Sequence, residues 1–435
     1  MSAGPIAESE LAGLFSGFED LQAIGLAVSG GPDSMGLMHL YARWRQLYRP
    51  DQRAMVLTVD HGLRPESAAE SAAVVEAARQ LGFTAEALHW TGSKPMTGIQ
   101  EAARAARYRL LGEAARRHGL DGLVTAHTED DQAETLLMRL ARGSGLDGLA
   151  GMANATRIGD SSVRRPLLGV AKSRLMATLD AKGVSYSVDP SNTDPRFERP
   201  RLRAVWPALE SIGLTASRLA RSAGRLERAR QALEMVSDQW AGMAVTVDAC
   251  GVATVDVQLL ADAPEEIVVR LIQRLVASVG GSDAPPSLAK IESLAGWLVV
   301  AQEGGRTLGR TIVTLACNGG GRRAAFCRET GREPLPVVSL GPGETLLWDG
   351  RFHVTLEAGR DPVEVRPHAP DGGGRDAPWA LAATPVAVRD GVVVASLLAP
   401  DASERAGIRL AFAGRDAIFA AGDTRKPKNK PKTGR

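Results

Sequence analysis

Cysteine is scarce in this chain: there are three in 435 residues, at Cys250, Cys317 and Cys327, widely spaced and with no CxxC pair. That excludes a disulfide-stapled scaffold, argues against a zinc or iron–sulfur centre, and implies a reducing compartment. Long apolar runs are missing too, and none approaches the roughly 20 residues that a membrane-spanning helix needs. Met1–Glu10 is acidic, with no apolar stretch behind it of the kind a secretory leader carries. A cytoplasmic protein with no membrane partner is expected. Aromatic residues make up only 4% and the net charge is only +2, so where the charge sits says more than its sum. The phosphate signature GxxxxGK[ST] is also absent, which sets aside a Walker-type nucleotidase, and the glycine-rich turn after the first apolar run lacks the GxGxxG spacing of a dinucleotide site.

What the chain does have is Ser29-Gly30-Gly31-Pro32-Asp33-Ser34, directly after the apolar run Ile24-Gly25-Leu26-Ala27-Val28 and before a helix-like segment reaching Arg45. A glycine-rich turn between a buried strand and a helix bares backbone N–H groups at the positive end of the helix dipole, a geometry that holds phosphate. The Ser29 and Ser34 hydroxyls can donate to phosphate oxygens, and Asp33 sets a carboxylate where Mg²⁺ can bridge to them. An ordinary strand-to-helix turn is the competing reading. The hexapeptide resembles the pyrophosphate loop of the N-type ATP pyrophosphatases, which implies cleavage of ATP between the α and β phosphates.

The surrounding text alternates. Ala54–Val59, Thr84–Trp90 and Gly122–Ala126 read as strands, and Glu66–Leu81, Ile99–His118 and Glu129–Arg142 as helices. This βαβα rhythm predicts an α/β fold, a doubly wound parallel sheet with ligands beyond the carboxyl ends of its strands. A catalytic domain is expected over residues 1–210 and a mainly helical one over 211–330. A β-rich domain over 331–424 and a basic, disordered tail over 425–435 follow. Between Arg196 and Arg230 stand nine Arg and three Glu, a balance that suits an RNA backbone. Arg218, Arg221 and Arg225 fall three and four apart on one predicted helix face, while the intervening Leu219, Ala220 and Ala223 leave an apolar side for packing. A solvated helix face is the plainer alternative. After Gly331, Thr345–Trp348, Phe352–Leu356, Pro385–Val388 and Val392–Leu397 read as strands, with Asp-Gly turns at Asp349 and Asp390.

The polar residues after the strands carry the chemistry. Asp60-His61 ends the second strand and can face a purine and a ribose, or simply open a helix. Arg104 and Arg107 are three apart in an Ala-rich helix and can clamp phosphates. His127 ends the fourth strand, and Thr128 is a natural N-cap with acidic residues behind it. Capping accounts for one or two carboxylates, but not for Asp130, Asp131 and Glu134 together. Asp130 and Glu134, four apart, are expected on one face, where with Asp33 they can hold Mg²⁺ or a cationic amine.

SGGPDS, VDHGLR, ARAARYRLL, HTEDDQAETLLMRLARGSGLDGL, RRPLL and DPSNTD occur in the order and approximate spacing of the bacterial tRNA(Ile)-lysidine synthetases. The match is dense over the first ~200 residues and continues weakly through PPSLAKIESL, RTLGRTIV and WDGRF. The resemblance implies ATP-dependent adenylation of the C2 oxygen of the wobble cytidine in a CAU-anticodon tRNA(Ile), followed by attack of the L-lysine ε-amine. It implies Mg²⁺, a homodimer, and C-terminal modules that grip the acceptor stem. It puts Asp33 and Arg107 on the ATP side, with Ser29, Gly30, Gly31, Pro32, Ser34, Asp60, His61 and Arg104 as nucleotide contacts. Asp131 and Glu134 fall on the lysine side, and Asp130 completes the catalytic set. Arg201, Arg218, Arg221 and Arg225 are the RNA-contacting candidates. One departure is Pro200, where the family often has Asn between two arginines; proline cannot donate from its backbone.

Three other functions were weighed. A tRNA thiolase of the same superfamily generally uses paired cysteines, which are absent. A small-molecule amide-forming ATP pyrophosphatase needs no Arg-rich appendage. A non-catalytic RNA-binding protein on a degenerate nucleotide fold needs neither Asp33 nor the acidic cluster.

Overall fold

A computed structural model describes residues 4–92, 94, 95, 98–158, 161–187, 198–282, 286–318, 321–368 and 381–419. The DPSNTD motif, the glycine run within 371–376 and the basic tail lie outside the described residues. The chain divides into two units, Met1–Arg230 and Gln231–Arg435. Among the described residues no helix is long and apolar enough to cross a membrane.

In the first unit the short apolar runs form one sheet. Its strands are β1 (Ala23–Ala27), β2 (Arg53–Asp60), β3 (Thr84–His89), β4 (Gly122–Val124), β5 (Ala155–Ile158) and β6 (Ser161–Arg164), in the order β3-β2-β1-β4-β6-β5. All neighbours pair in parallel except β5, which closes the edge antiparallel to β6. The helices are α1 (Leu11–Leu14), α2 (Pro32–Tyr48), α3 (Ser67–Gln80), α4 (Ile99–Arg117), α5 (Glu129–Ala141), α6 (Leu146–Leu149) and α7 (Lys172–Ala181). The first three and α7 cover one face, over a core of Ile24, Leu26, Leu37, Tyr41, Val74 and Leu175. Helix α4 covers the other face through Leu111 and Ala114 on Leu57 and Leu123. This is the doubly wound sheet that the rhythm predicts. Strand β1 has β2 on one side and β4 on the other, so the chain winds away in opposite directions and leaves a crevice above their carboxyl ends.

Two further helices complete the unit: α8 (Glu198–Ser211) and the part of α9 (Ala216–Ala244) that precedes Gln231. Leu219 and Ala223 of α9 are buried against Ala133 and Leu136 of α5, so the acidic helix has an apolar back as well as a charged front.

In the second unit the expected helical pattern is present as α10 (Val257–Ala261), α11 (Glu265–Gly280) and α12 (Leu288–Val300). With it comes a five-stranded antiparallel sheet of β7 (Val245–Val247), β8 (Ala253–Asp256), β9 (Gly304–Leu308), β10 (Thr311–Asn318) and β11 (Gly321–Arg328), a finding beyond the sequence reading. The sheet is hidden in the sequence because strands such as Gly-Gly-Arg-Thr-Leu have little β-propensity of their own. They are held by pairing with neighbours and by the apolar face of α11, where Ile267, Leu271, Ile272 and Leu275 are buried.

Beyond it, Thr345–Trp348 and Phe352–Leu356 pair through the Asp349-Gly350 turn, and Pro385–Arg389 with Val392–Ser396 through Asp390-Gly391. Both turns hold the Asp and the Gly at positive φ (49° and 68°, 50° and 79°); Asp390-Gly391 is a two-residue loop, whereas Asp349, Gly350 and Arg351 separate the paired Trp348 and Phe352. Asp349 does more than turn the chain. Its carboxylate is buried and takes Arg351 Nε at 2.8 Å, Arg328 Nε at 3.0 Å and Arg310 Nη2 at 2.7 Å. Arg328 and Arg351 are buried as well, so Asp349 is their counter-charge. Asp349→Ala is expected to destabilise this unit by about 3–5 kcal/mol, because it strands two buried guanidiniums. Urea unfolding of the variant checks this; a loss under about 1 kcal/mol would mean that the arginines reach water without it.

Candidate active site

The loop after β1 is rigid for local reasons. Gly30 sits at φ 85°, and a Cβ there would also approach Val74 Cγ2 to 3.3 Å. Gly31 caps α2 from an extended conformation, and Pro32 opens the first turn, where its missing N–H costs nothing. Ser34 Oγ accepts from Ser29 N at 3.1 Å and donates to the Gly31 carbonyl at 3.0 Å, closing the loop on itself. The Gly30 carbonyl is held from outside by Ser187 N at 2.9 Å. The free N–H groups of α2 therefore point at one place, a fixed seat for an anion.

Beside the loop, at the carboxyl ends of β1, β2 and β4, lies a cavity of about 190 Å³. Ser29, Gly31, Asp33 and Ser34 form one wall, and Arg104, Arg107 and Tyr108 of α4 another. The two arginines thus share one face and meet the loop across the cavity; the Arg104 guanidinium also lies 5.2 Å over the Tyr108 ring. From β4 come Thr125, Ala126 and His127. His127 Nδ1 is 3.0 Å from Thr125 Oγ1, and burial pulls its pKa down to about 4 against the charge of Asp131. The imidazole is neutral at pH 7, suited to hydrogen bonding rather than to pairing with a phosphate.

Strand β2 contributes Leu57 and Val59 to this wall. Asp60 and His61 are not brought to it. Asp60 accepts from Ser67 Oγ at 2.5 Å and Gly62 N at 2.9 Å, and lies 3.4 Å from His89. The Ser67 hydrogen bond leads the causes that lower its pKa, with burial opposing. Asp60 therefore fastens the turn into α3, while Leu63 N donates to His61 Nδ1.

The acidic helix distributes its carboxylates differently from the expected pairing of Asp130 with Glu134. Asp130 Oδ2 accepts from Lys172 N at 2.8 Å, capping α7. Asp131 Oδ2 takes Thr128 N at 2.9 Å and Thr128 Oγ1 at 3.0 Å, and its other oxygen lies 3.8 Å from Arg199 Nη1. Glu134 is only 4% exposed. It binds Arg203 through Nε at 2.6 Å and Nη2 at 3.3 Å, with Arg199 Nε at 3.6 Å. Asp131 and Glu134 thus form one acidic subsite bridged by Arg199, and Asp130 looks toward α7.

Asp33 meets the same group of residues from the loop side. Its Oδ2 pairs with Lys172 Nζ at 2.8 Å, while Oδ1 is buried with no hydrogen-bond partner among the described residues. Burial raises its pKa; Lys172 pulls the other way, and Asp131 and Asp130 add to the rise. Lys172 therefore joins the loop to the acidic helix, with its ammonium on Asp33 and its N–H on Asp130. It was missed in the sequence, as was Arg203. Arg199 and Arg203 could have been found, since four residues on one helix put them on one face. Arg201 is exposed on α8, outside this ion-pair group. Arg218, Arg221 and Arg225 are exposed on α9, and Arg218 Nη1 donates to the Gly213 carbonyl at 3.0 Å.

A family model described as a PP-loop domain matches residues 5–209. The chain is 47% identical over 299 residues to the tRNA(Ile)-lysidine synthase of a Bradyrhizobium species, covering 67% of this chain and 83% of that protein. It is 47% identical over 291 residues to the synthase of Rhodopseudomonas palustris, covering 67% and 84%. Against the synthase of Mesorhizobium japonicum the identity is 36% over 396 residues, covering 88% of this chain and 82% of that protein. Given a similarity of this depth over most of both chains, this protein belongs to the tRNA(Ile)-lysidine synthase family.

Proposed function

We propose that the chain makes lysidine in tRNA(Ile), using ATP and L-lysine. The cytidine C2 oxygen attacks the α-phosphorus and pyrophosphate departs. The lysine ε-amine then attacks C2, AMP leaves, and the amine gives up its surplus proton. The observation that carries this reading is the junction at Lys172, where the anion-binding loop and the acidic helix α5 are joined through one residue, on Asp33 and on Asp130. A polyphosphate and an ammonium-bearing amine are thereby held as neighbours, which is what a two-substrate condensation needs.

The residues divide the work by charge. The loop N–H groups and the Ser29 and Ser34 hydroxyls orient the phosphates, and Arg104 and Arg107 face them across the cavity. Asp131 and Glu134 attract the lysine ammonium, and a carboxylate there can take its proton as the amine attacks. Mg²⁺ fits this setting. Asp33 Oδ1 is a buried oxygen in want of a partner, and among the described residues no group of three or more His, Cys, Asp or Glu can hold a metal alone. Asp33 and the phosphates would hold it together, as is usual for an ion that keeps most of its water. When bound, it supplies charge neutralisation for the departing pyrophosphate. Sulfur transfer is disfavoured because all three cysteines lie beyond residue 230, outside the unit that carries the site.

The direct test is incubation with ATP, labelled lysine and CAU-anticodon tRNA(Ile); absence of label in the tRNA would reject the reading. Asp33→Ala should cost on the order of 10²–10³ in adenylation rate, with the fold retained because the Lys172 ammonium it frees is partly exposed. Pyrophosphate exchange into ATP at the wild-type rate, with tRNA present, would remove Asp33 from the metal role. Glu134→Gln keeps the shape and loses the charge, so the lysine KM should rise and adenylated tRNA should accumulate. Equal loss in both half-reactions would refute that division. Replacing Arg218, Arg221 and Arg225 with Gln should weaken binding of any tRNA and flatten the slope of log affinity against log salt by about one unit per lost contact. An unchanged slope, with helical content intact, would move the RNA surface elsewhere.

A further inference from the structure

Lysine is almost absent from this chain. Only Lys94, Lys172, Lys182 and Lys290 precede residue 425, against 42 arginines. Where arginine is the default cation, a buried-side lysine on the loop carboxylate is a chemical choice. A compact ammonium with three rotatable donors can change partners on a flexible stem, whereas a guanidinium fork stays with the planar group it fits.

The geometry favours such a change. Lys172 is rooted firmly: it is the first residue of α7, and its N–H is bound to Asp130 at 2.8 Å. Its side chain is not held in the same way. The side chain is 37% exposed and, among the described residues, rests on a single partner, Asp33 Oδ2, at 2.8 Å. Asp33 itself stands in the first turn of α2, beside the N–H groups that face the anion seat. The ammonium is thus held 2.8 Å from a carboxylate on the helix turn that opens onto that seat, and a polyphosphate carries more charge than that carboxylate.

We propose that Lys172 is a pyrophosphate-binding residue: its ammonium rests on Asp33 while the seat is empty and shifts to the β- and γ-phosphate oxygens when ATP arrives. The inference rests on the ATP reading above and deepens it. The shift gives the leaving group its own cation and releases Asp33 Oδ2, so that both carboxylate oxygens can face a cation bound with the phosphates. AMP lacks the β and γ groups and gains nothing from Lys172.

Calorimetric binding of pyrophosphate, ATP and AMP tests this, with Mg²⁺ and again in chelator. Lys172→Met should weaken ATP and pyrophosphate by on the order of 10- to 100-fold, the range for a charge-assisted hydrogen bond, and leave AMP unchanged; Lys172→Arg should restore part of the loss. The decisive comparison uses Asp33→Asn in chelator. There the lysine has no carboxylate to hold, so adding Lys172→Met should still cost about tenfold or more in pyrophosphate affinity. Equal affinities for Asp33→Asn with and without Lys172→Met would overturn the inference, because Lys172 would then act only through Asp33. Equal weakening of all three ligands would overturn it too, as the mark of a structural role. Should Lys172→Met melt well below the wild type, Lys172→Gln carries the same expectation. If the wild type binds neither ATP nor pyrophosphate in Mg²⁺, the ATP reading itself fails.

Discussion

A carboxylate taken out of water must be given a cation, and this one constraint shapes both units. Asp33 is given Lys172, Glu134 is given Arg203 and Arg199, and Asp349 is given Arg310, Arg328 and Arg351. In each case the partner comes from a distant part of the chain or from a neighbouring turn that the fold has brought round. Pairs like these add little net stability over apolar packing, but breaking one is costly, so they specify which arrangement of elements is acceptable. At the site the specification is chemical as well. On the proposed reading, lysine and ATP compete with these cations and carboxylates for their partners.

Competition of this kind links fold to function. An enzyme that joins an amine to an adenylated base must hold an anion and a cation side by side without letting them neutralise each other. The sheet solves this by placing the glycine-rich loop at the end of β1 and the acidic helix after β4, its neighbour. Helix α7 then closes the gap, with Lys172 bound to Asp33 by its side chain and to Asp130 by its backbone. The neutral His127 between them adds polarity without adding charge.

Much of this was legible in the sequence. The strands and helices of the first unit follow from short apolar runs alternating with amphipathic segments. The loop follows from Gly30, which takes the positive φ of the turn, and from Pro32 at the first helical position. The hairpins at Asp349 and Asp390 follow from Asp-Gly in the backbone that tolerates it. The five-stranded sheet of the second unit was not legible, since Gly304–Leu308 and Gly321–Arg328 become strands only when paired.

Sequence alone also determined which residue types stand at the strand ends, because local spacing and turn chemistry act within a few residues. It could not decide which of those residues meet. Asp60 and Asp33 both follow parallel strands, yet one turns back to fasten its own helix and the other faces the cavity. Asp130 and Glu134 share a helical spacing, yet they take partners from different helices. Lys172 carries no periodic signal at all, and its place beside Asp33 comes from the packing of α7 on α2, 139 residues apart in sequence between the two partners. The physical reason is the range of the forces. Backbone propensity is settled locally, whereas the pairing of buried charges is settled by whatever the closed core leaves next to them.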